Sequence, residues 1–136
     1  MNGRTRRGTG PRGDRGSVAT EIAMVFPVVL LLILAAVQFG VWWYASHAAH
    51  AVADTALATA RADGATAEQA EQAAAALLDQ LGGDRLLTDA TVRVDRGQQQ
   101  ATVRVEATAI QVVPGLSLPV VVELTGPTDR FITGNG

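Results

Sequence analysis

The 136-residue chain contains no cysteine and no lysine. Without cysteine there is no disulfide framework, no thiolate metal site and no lipoprotein anchor, so the fold must rest on packing and hydrogen bonding. Missing lysine beside abundant alanine is a compositional bias that says nothing of partners. Histidine occurs only as His47 and His50, and no Gly-x-Ser-x-Gly or phosphate-binding glycine loop is present. Ser17, Ser46 and Ser117 have no activating partner in sequence, and Glu68 with Glu71 falls on a solvated helical face. The chain therefore reads as a non-enzyme, without cofactor or metal. Aromatics are also few, three Phe, two Trp and one Tyr, and three of them adjoin as Trp42-Trp43-Tyr44.

The longest absence is of charge: none occurs from Ile22 to Ala45. This run, IAMVFPVVLLLILAAVQFGVWWYA, exceeds the roughly 20 residues that cross about 30 Å of hydrocarbon. Arg4, Arg6, Arg7, Arg12 and Arg15 precede it with only Asp14 against them, whereas six arginines face eleven carboxylates after Ala45. That asymmetry places the arginine-rich end in the cytoplasm and the rest of the chain outside. The aromatic triplet at the far end suits a headgroup boundary, where amphipathic rings gain most. A cleavable signal peptide is the competing reading, served by Ala49-His50-Ala51 or Ala51-Val52-Ala53, but its apolar region should be only about 7 to 15 residues long. Within the run Pro27 falls in the first two turns, and Gln38 and Gly40 interrupt the apolar character where close approach of a neighbouring helix is favoured.

Four segments follow: a basic cytoplasmic leader (1–16), a transmembrane helix (17–45), a helix extension (46–62) and an extracytoplasmic domain (63–136). The leader, rich in Gly and Arg, has too few apolar side chains to build a core. In the extension His47, His50, Asp54 and Arg61 share a wet stripe, while Ala48, Val52, Ala56 and Ala60 form one that packs. His47, His50 and Asp54 lack a fourth ligand for a metal site. Asp63-Gly64 breaks the helix, and Thr66 with Gln69 makes a capping box for a second helix ending at Gly82-Gly83. Ala70, Ala74, Leu77 and Leu81 give that helix an apolar stripe, leaving Glu68, Glu71, Gln72 and Asp79 to water. The period then changes to two: Thr91–Asp95 and Ala101–Glu106 alternate as strands of an antiparallel hairpin across the polar loop from Arg96 to Gln100. A third strand, Pro119–Leu124, is expected between turns at Pro114-Gly115 and Gly126-Pro127. The fold class is α+β, a long N-terminal transmembrane helix continuing into a small domain with a second helix and a short antiparallel sheet.

The junction Arg15-Gly16-Ser17-Val18-Ala19-Thr20-Glu21 carries the functional signal. Gly16 gives a protease access to backbone. A chain beginning at Ser17 would carry a charged amine, and Glu21, four residues along, can neutralise it in its own helix or in a neighbour's. An unpaired carboxylate costs up to roughly 3 kcal/mol at the bilayer centre and less toward the edge, so pairing between subunits favours ordered assembly. The plainer reading makes Gly16 a joint and Glu21 a first-turn acid favoured by the helix dipole.

This layout resembles the processing site of type IV pilin-class precursors, in which a membrane aspartyl prepilin peptidase cuts on the cytoplasmic side after a glycine. The resemblance makes Gly16 the residue before the cut, Ser17 the new N-terminus and Glu21 the carboxylate at the fifth mature position. Within that class GSVATEIAMVFPVVLLLILAAVQFGVWWYA is similar to the opening of TadE-like proteins of the tight-adherence (Tad, Flp-type) pilus system. These typically show an arginine-glycine start, an acidic residue, a proline inside the apolar block and an aromatic-rich exit. The stretch from Val112 to Pro127 resembles the family in outline. The major fibre subunits are shorter and usually carry Glu-Tyr where this chain has Glu21-Ile22, so the resemblance implies a minor pilin or pseudopilin. It further implies as partners the membrane lipid, the prepilin peptidase, other pilin subunits and Tad machinery proteins, and no nucleic acid. Subunit packing would engage Glu21, Pro27, Gln38 and Gly40. The rival is an uncleaved single-pass protein whose outer domain binds an envelope partner.

Overall fold

Residues 14–128 are described in the computed structural model; the leader's first four arginines and the tail beyond Thr128 lie outside them. The first helix, α1, runs Asp14–Arg61, beginning three residues ahead of Ser17. Pro27 consequently stands in the helix interior rather than in its first two turns, and its missing N–H leaves the Ala23 carbonyl without its usual donor. The chain divides into two compact units, 1–35 and 36–136. In the described part of the first unit, apolar side chains are exposed all round the helix, among them Ile22, Met24, Phe26, Leu31 and Leu32. A helix apolar on every side and left uncovered is one whose solvent is lipid.

The second unit is built on a three-stranded antiparallel sheet in the order β1-β2-β3, with β1 Leu87–Arg96, β2 Gln100–Ala109 and β3 Leu118–Pro127. Strict alternation on β2 puts Ala101, Val103, Val105, Ala107 and Ala109 on one buried face and Arg104 and Glu106 on the open one. Against the buried face lies the second half of α1, through Ala45, Ala49, Val52, Ala53 and Ala56, all with no exposed surface. Alanine lets the helix backbone approach the sheet closely without costing side-chain entropy. The α2 helix, Ala67–Gln80, buries Ala70 and Ala74 and packs Leu77, Leu78 and Leu81 at the core margin.

Local signals explain where these elements begin and end. Thr66 and Gln69 form the expected capping box, with Gln69 N–H donating to Thr66 Oγ1 at 3.2 Å and Thr66 N–H to Gln69 Oε1 at 3.0 Å. Gly82 ends α2 in the left-handed region at φ 70°, which a side chain would resist. A single turn, α3 Gly83–Leu86, leads into β1. At the other end of β1, Arg96 Nε donates to the Ala60 carbonyl at 2.8 Å and its terminal nitrogen to Ala62 at 3.2 Å. A cation thus satisfies carbonyls left open at the C-terminus of α1.

Both free sheet edges are covered. On β1 the Val94 N–H donates to Glu71 at 3.2 Å, so Glu71 is half-buried rather than left to water. On β3 Trp42 Nε1 donates to the Pro119 carbonyl at 3.3 Å and Arg61 Nε to the Pro127 carbonyl at 2.7 Å. The two attachments match in length, since the helix rises about 28 Å from Trp42 to Arg61 and the strand about 27 Å from Pro119 to Pro127. Arg61 therefore departs from the wet stripe that His47, His50 and Asp54 do form. Pro119 and Pro127 have no N–H to offer, which blunts that edge against strand addition.

All three strands are longer than their sequence pattern. The pairs Thr88–Thr108 and Thr91–Glu106 leave Asp89 and Ala90 opposite Ala107 alone, a bulge with Asp89 at φ 54°. The bulge breaks the alternation and so hides the first half of β1. Gly126 and Pro127, expected in a turn, continue β3 by pairing with Ala101 and Gln100. Glycine suits the position because of the helix above: a Cβ on Gly126 would lie 3.2 Å from Arg61 and 3.4 Å from Leu57.

Candidate processing site and membrane-exit site

Gly16 lies in the first turn of α1, with Thr20 Oγ1 donating to its carbonyl at 2.9 Å. Nothing stands within 4 Å of where its Cβ would be. Glycine costs about 1 kcal/mol relative to alanine in a helix, so α1 unwinds more easily at Gly16 than at a residue with a side chain. Glu21 is exposed one turn beyond Ser17 and has no hydrogen-bond or ion-pair partner among the described residues. Val18, Ile22, Val25 and Phe26 surround it as a shallow apolar patch. A carboxylate in such a setting gains from a cation brought to it. Pro27 and Gly40 are exposed and open.

Gln38 differs from the other members of the expected packing set. Its side chain is 1% exposed and bonds within its own chain to the β2–β3 loop, 110–117. Oε1 accepts from the Val112 N–H at 2.6 Å and the Val113 N–H at 3.1 Å, while Nε2 donates to the Ile110 carbonyl at 3.1 Å. One amide thereby closes three backbone groups of a loop more than seventy residues away in sequence. No signal around Gln38 names that partner; the hint is an uncharged stretch from Ala107 to Val122, which marks the loop as unlike the charged surface elsewhere.

Beside Gln38 the aromatic cluster is ordered by mutual contact, with Phe39 to Trp42 at 5.8 Å between ring centres and Trp43 to His47 at 4.9 Å. His47 Nδ1 lies 3.0 Å from the Trp43 carbonyl and His50 Nδ1 2.9 Å from the Ser46 carbonyl. A carbonyl only accepts, so each Nδ1 carries its proton. Among the described residues no three of His, Asp and Glu converge as a metal-binding group. On the open sheet face Arg104 bonds Glu106 and, at 3.2 Å, Glu123. The bond to Glu106 comes first in holding the guanidinium above its ordinary pKa, followed by attraction to the same carboxylate. Arg104 thus joins a neighbour on its own strand to its cross-strand partner on β3, which accounts for these charges without a ligand.

An uncovered apolar helix of this length, joined to an α+β unit that uses the helix's second half as part of its core, fits a single-pass membrane protein. Residues 16–61 match the family model described as TadE-like protein, from Gly16 to the last residue of α1. The match covers 46 of the chain's 136 residues. No curated protein and no solved structure matches the chain.

Proposed function

We propose that this chain is a minor pilin or pseudopilin of the Tad pilus system, cut after Gly16 by a prepilin peptidase and held by α1 in the membrane. The observation that carries this reading is the order along the sequence: basic leader, Gly16, Glu21 with no partner among the described residues, then an apolar run long enough to span. The arginines hold the leader in the cytoplasm and the α+β domain stands outside. After cleavage the Ser17 amine of one subunit pairs with Glu21 of its own or an adjacent helix, and the relief of an uncompensated carboxylate favours orderly insertion. Pro27 and Gly40 offer further places for neighbouring helices to approach.

The test is the N-terminal residue of the protein recovered from cell membranes. Ser17 is expected, and Gly16→Phe should leave the leader attached by denying the peptidase its open backbone. An intact leader in the unaltered protein, from cells with an active peptidase, would support the uncleaved anchor instead. A terminus beyond Ala51 would mark a signal peptide and refute both.

A further inference from the structure

We infer that the β2–β3 loop, 110–117, is a second membrane contact, lying in the interfacial layer beside α1. The inference rests on α1 being the membrane span and is independent of cleavage. The sheet lies along the helix with this loop at the level of Gln38 and Trp42, and its opposite end at Ala60 and Arg61. Gln38 stands in the outer third of the charge-free run from Ile22 to Ala45, one turn before Trp42 and Trp43. The loop is therefore held beside the outer end of the run, next to the aromatic residues that mark the headgroup boundary.

Its chemistry suits that depth. No charge occurs from Ala107 to Val122, and Ile110, Val112, Val113 and Leu116 supply apolar surface, Leu116 being 41% exposed. Irregular backbone is normally excluded from lipid by its unmet polar groups. Here Val112 and Val113 donate to Gln38, Ile110 donates to the Leu86 carbonyl, Leu116 donates to the Val113 carbonyl, and Pro114 has no N–H. The loop has thus met much of its hydrogen bonding before touching lipid. Phe39, Trp43 and Tyr44, exposed on the neighbouring turns of the helix, form the aromatic part of the same boundary. An aqueous role would ask the opposite of this loop, polar side chains and an open backbone.

The absence of cysteine makes the test direct. The full chain carrying Leu116→Cys, or Pro114→Cys as a second site, is labelled with a nitroxide and reconstituted at high dilution in vesicles of phosphatidylethanolamine and phosphatidylglycerol. Thr102→Cys on the open sheet face is the aqueous reference. Collision with oxygen relative to a water-soluble nickel chelate should be several-fold higher at 116 and 114 than at 102. Equal ratios at all three sites would overturn the inference. So would shielding from both reagents that vanishes on further dilution, since a second protein would then be the cover. Flotation of the vesicles separates the premises: a chain that fails to float refutes the membrane span itself, whereas a floating chain with a water-exposed loop refutes only the loop.

Discussion

Replacing Gln38 by leucine keeps the volume and apolar fit of the site but removes both the acceptor for Val112 and Val113 and the donor for Ile110. Three backbone groups would lose their partner. A buried group left unpaired costs about 1 to 3 kcal/mol, but these are only partly buried and water can reach them once the loop lifts. The loss is therefore capped near the low end, about 2 to 3 kcal/mol for the group of three, because opening the loop is cheaper than unfolding the sheet. Amide hydrogen exchange on the full chain in lipid reads this directly. At 1.4 kcal/mol per tenfold, protection at Val112 and Val113 should fall by roughly 30- to 150-fold, while Val103 and Val105 in the middle of β2 keep theirs. Unchanged protection at 112 and 113 would refute the claim that Gln38 holds the loop. A uniform fall across β2 would refute the claim that the effect is local.

Thr66→Ala removes the side-chain half of the α2 capping box and should lower stability by about 1 kcal/mol, read as a shift in the denaturation midpoint of the detergent-solubilised protein. Gly83→Ala should cost about 1 to 3 kcal/mol by the same measurement, because the new Cβ would lie 2.6 Å from the Leu78 side chain and 2.8 Å from its carbonyl oxygen, and the carbonyl cannot move aside cheaply. Ala53→Leu should also cost about 1 to 3 kcal/mol, since a fully buried alanine between helix and sheet leaves no room for three more carbons.

How much of this was legible in sequence depended on the range of the interaction. The α2 cap, its glycine stop and the alternating pairs of β1 and β2 are decided by residues a few positions apart, and local pattern names them. Gly126-Pro127 looks like a turn locally and is a strand because it pairs with Ala101 and Gln100 of β2 while Arg61 bonds the Pro127 carbonyl. Asp89 and Ala90 interrupt an alternation that the partner strand absorbs as a bulge. Glu71 on its own helix is one more solvated acid, and only the free edge of β1 turns it into an acceptor. Gln38 is the sharpest case: among apolar neighbours a lone amide invites the thought of a second helix, while its hydrogen bonds go to a loop that nothing nearby in sequence announces. For the proposed processing site the argument stays with sequence spacing; the structure adds that nothing lies within 4 Å of a Cβ at Gly16 and that Glu21 lacks a partner among the described residues.

The composition of α1 changes along its length in a way that one helix serving two solvents requires. Before Gln38 the large side chains Val, Leu, Ile and Phe face outward on every side, where lipid packs against bulk as readily as protein does. After Trp42 the buried positions are almost all alanine, because the surface to be met is now a sheet whose own side chains are Val and Ala. Larger helix residues there would hold the backbones apart and pull Trp42 and Arg61 away from the Pro119 and Pro127 carbonyls. Small residues within the core and donor side chains at its two ends are thus one solution to one problem, that of fixing a sheet edge along some 28 Å of helix. It follows that residues 38–61 are part of the domain itself: five of the thirteen residues in its main buried cluster lie on α1, and any force on that stretch is a force on the sheet.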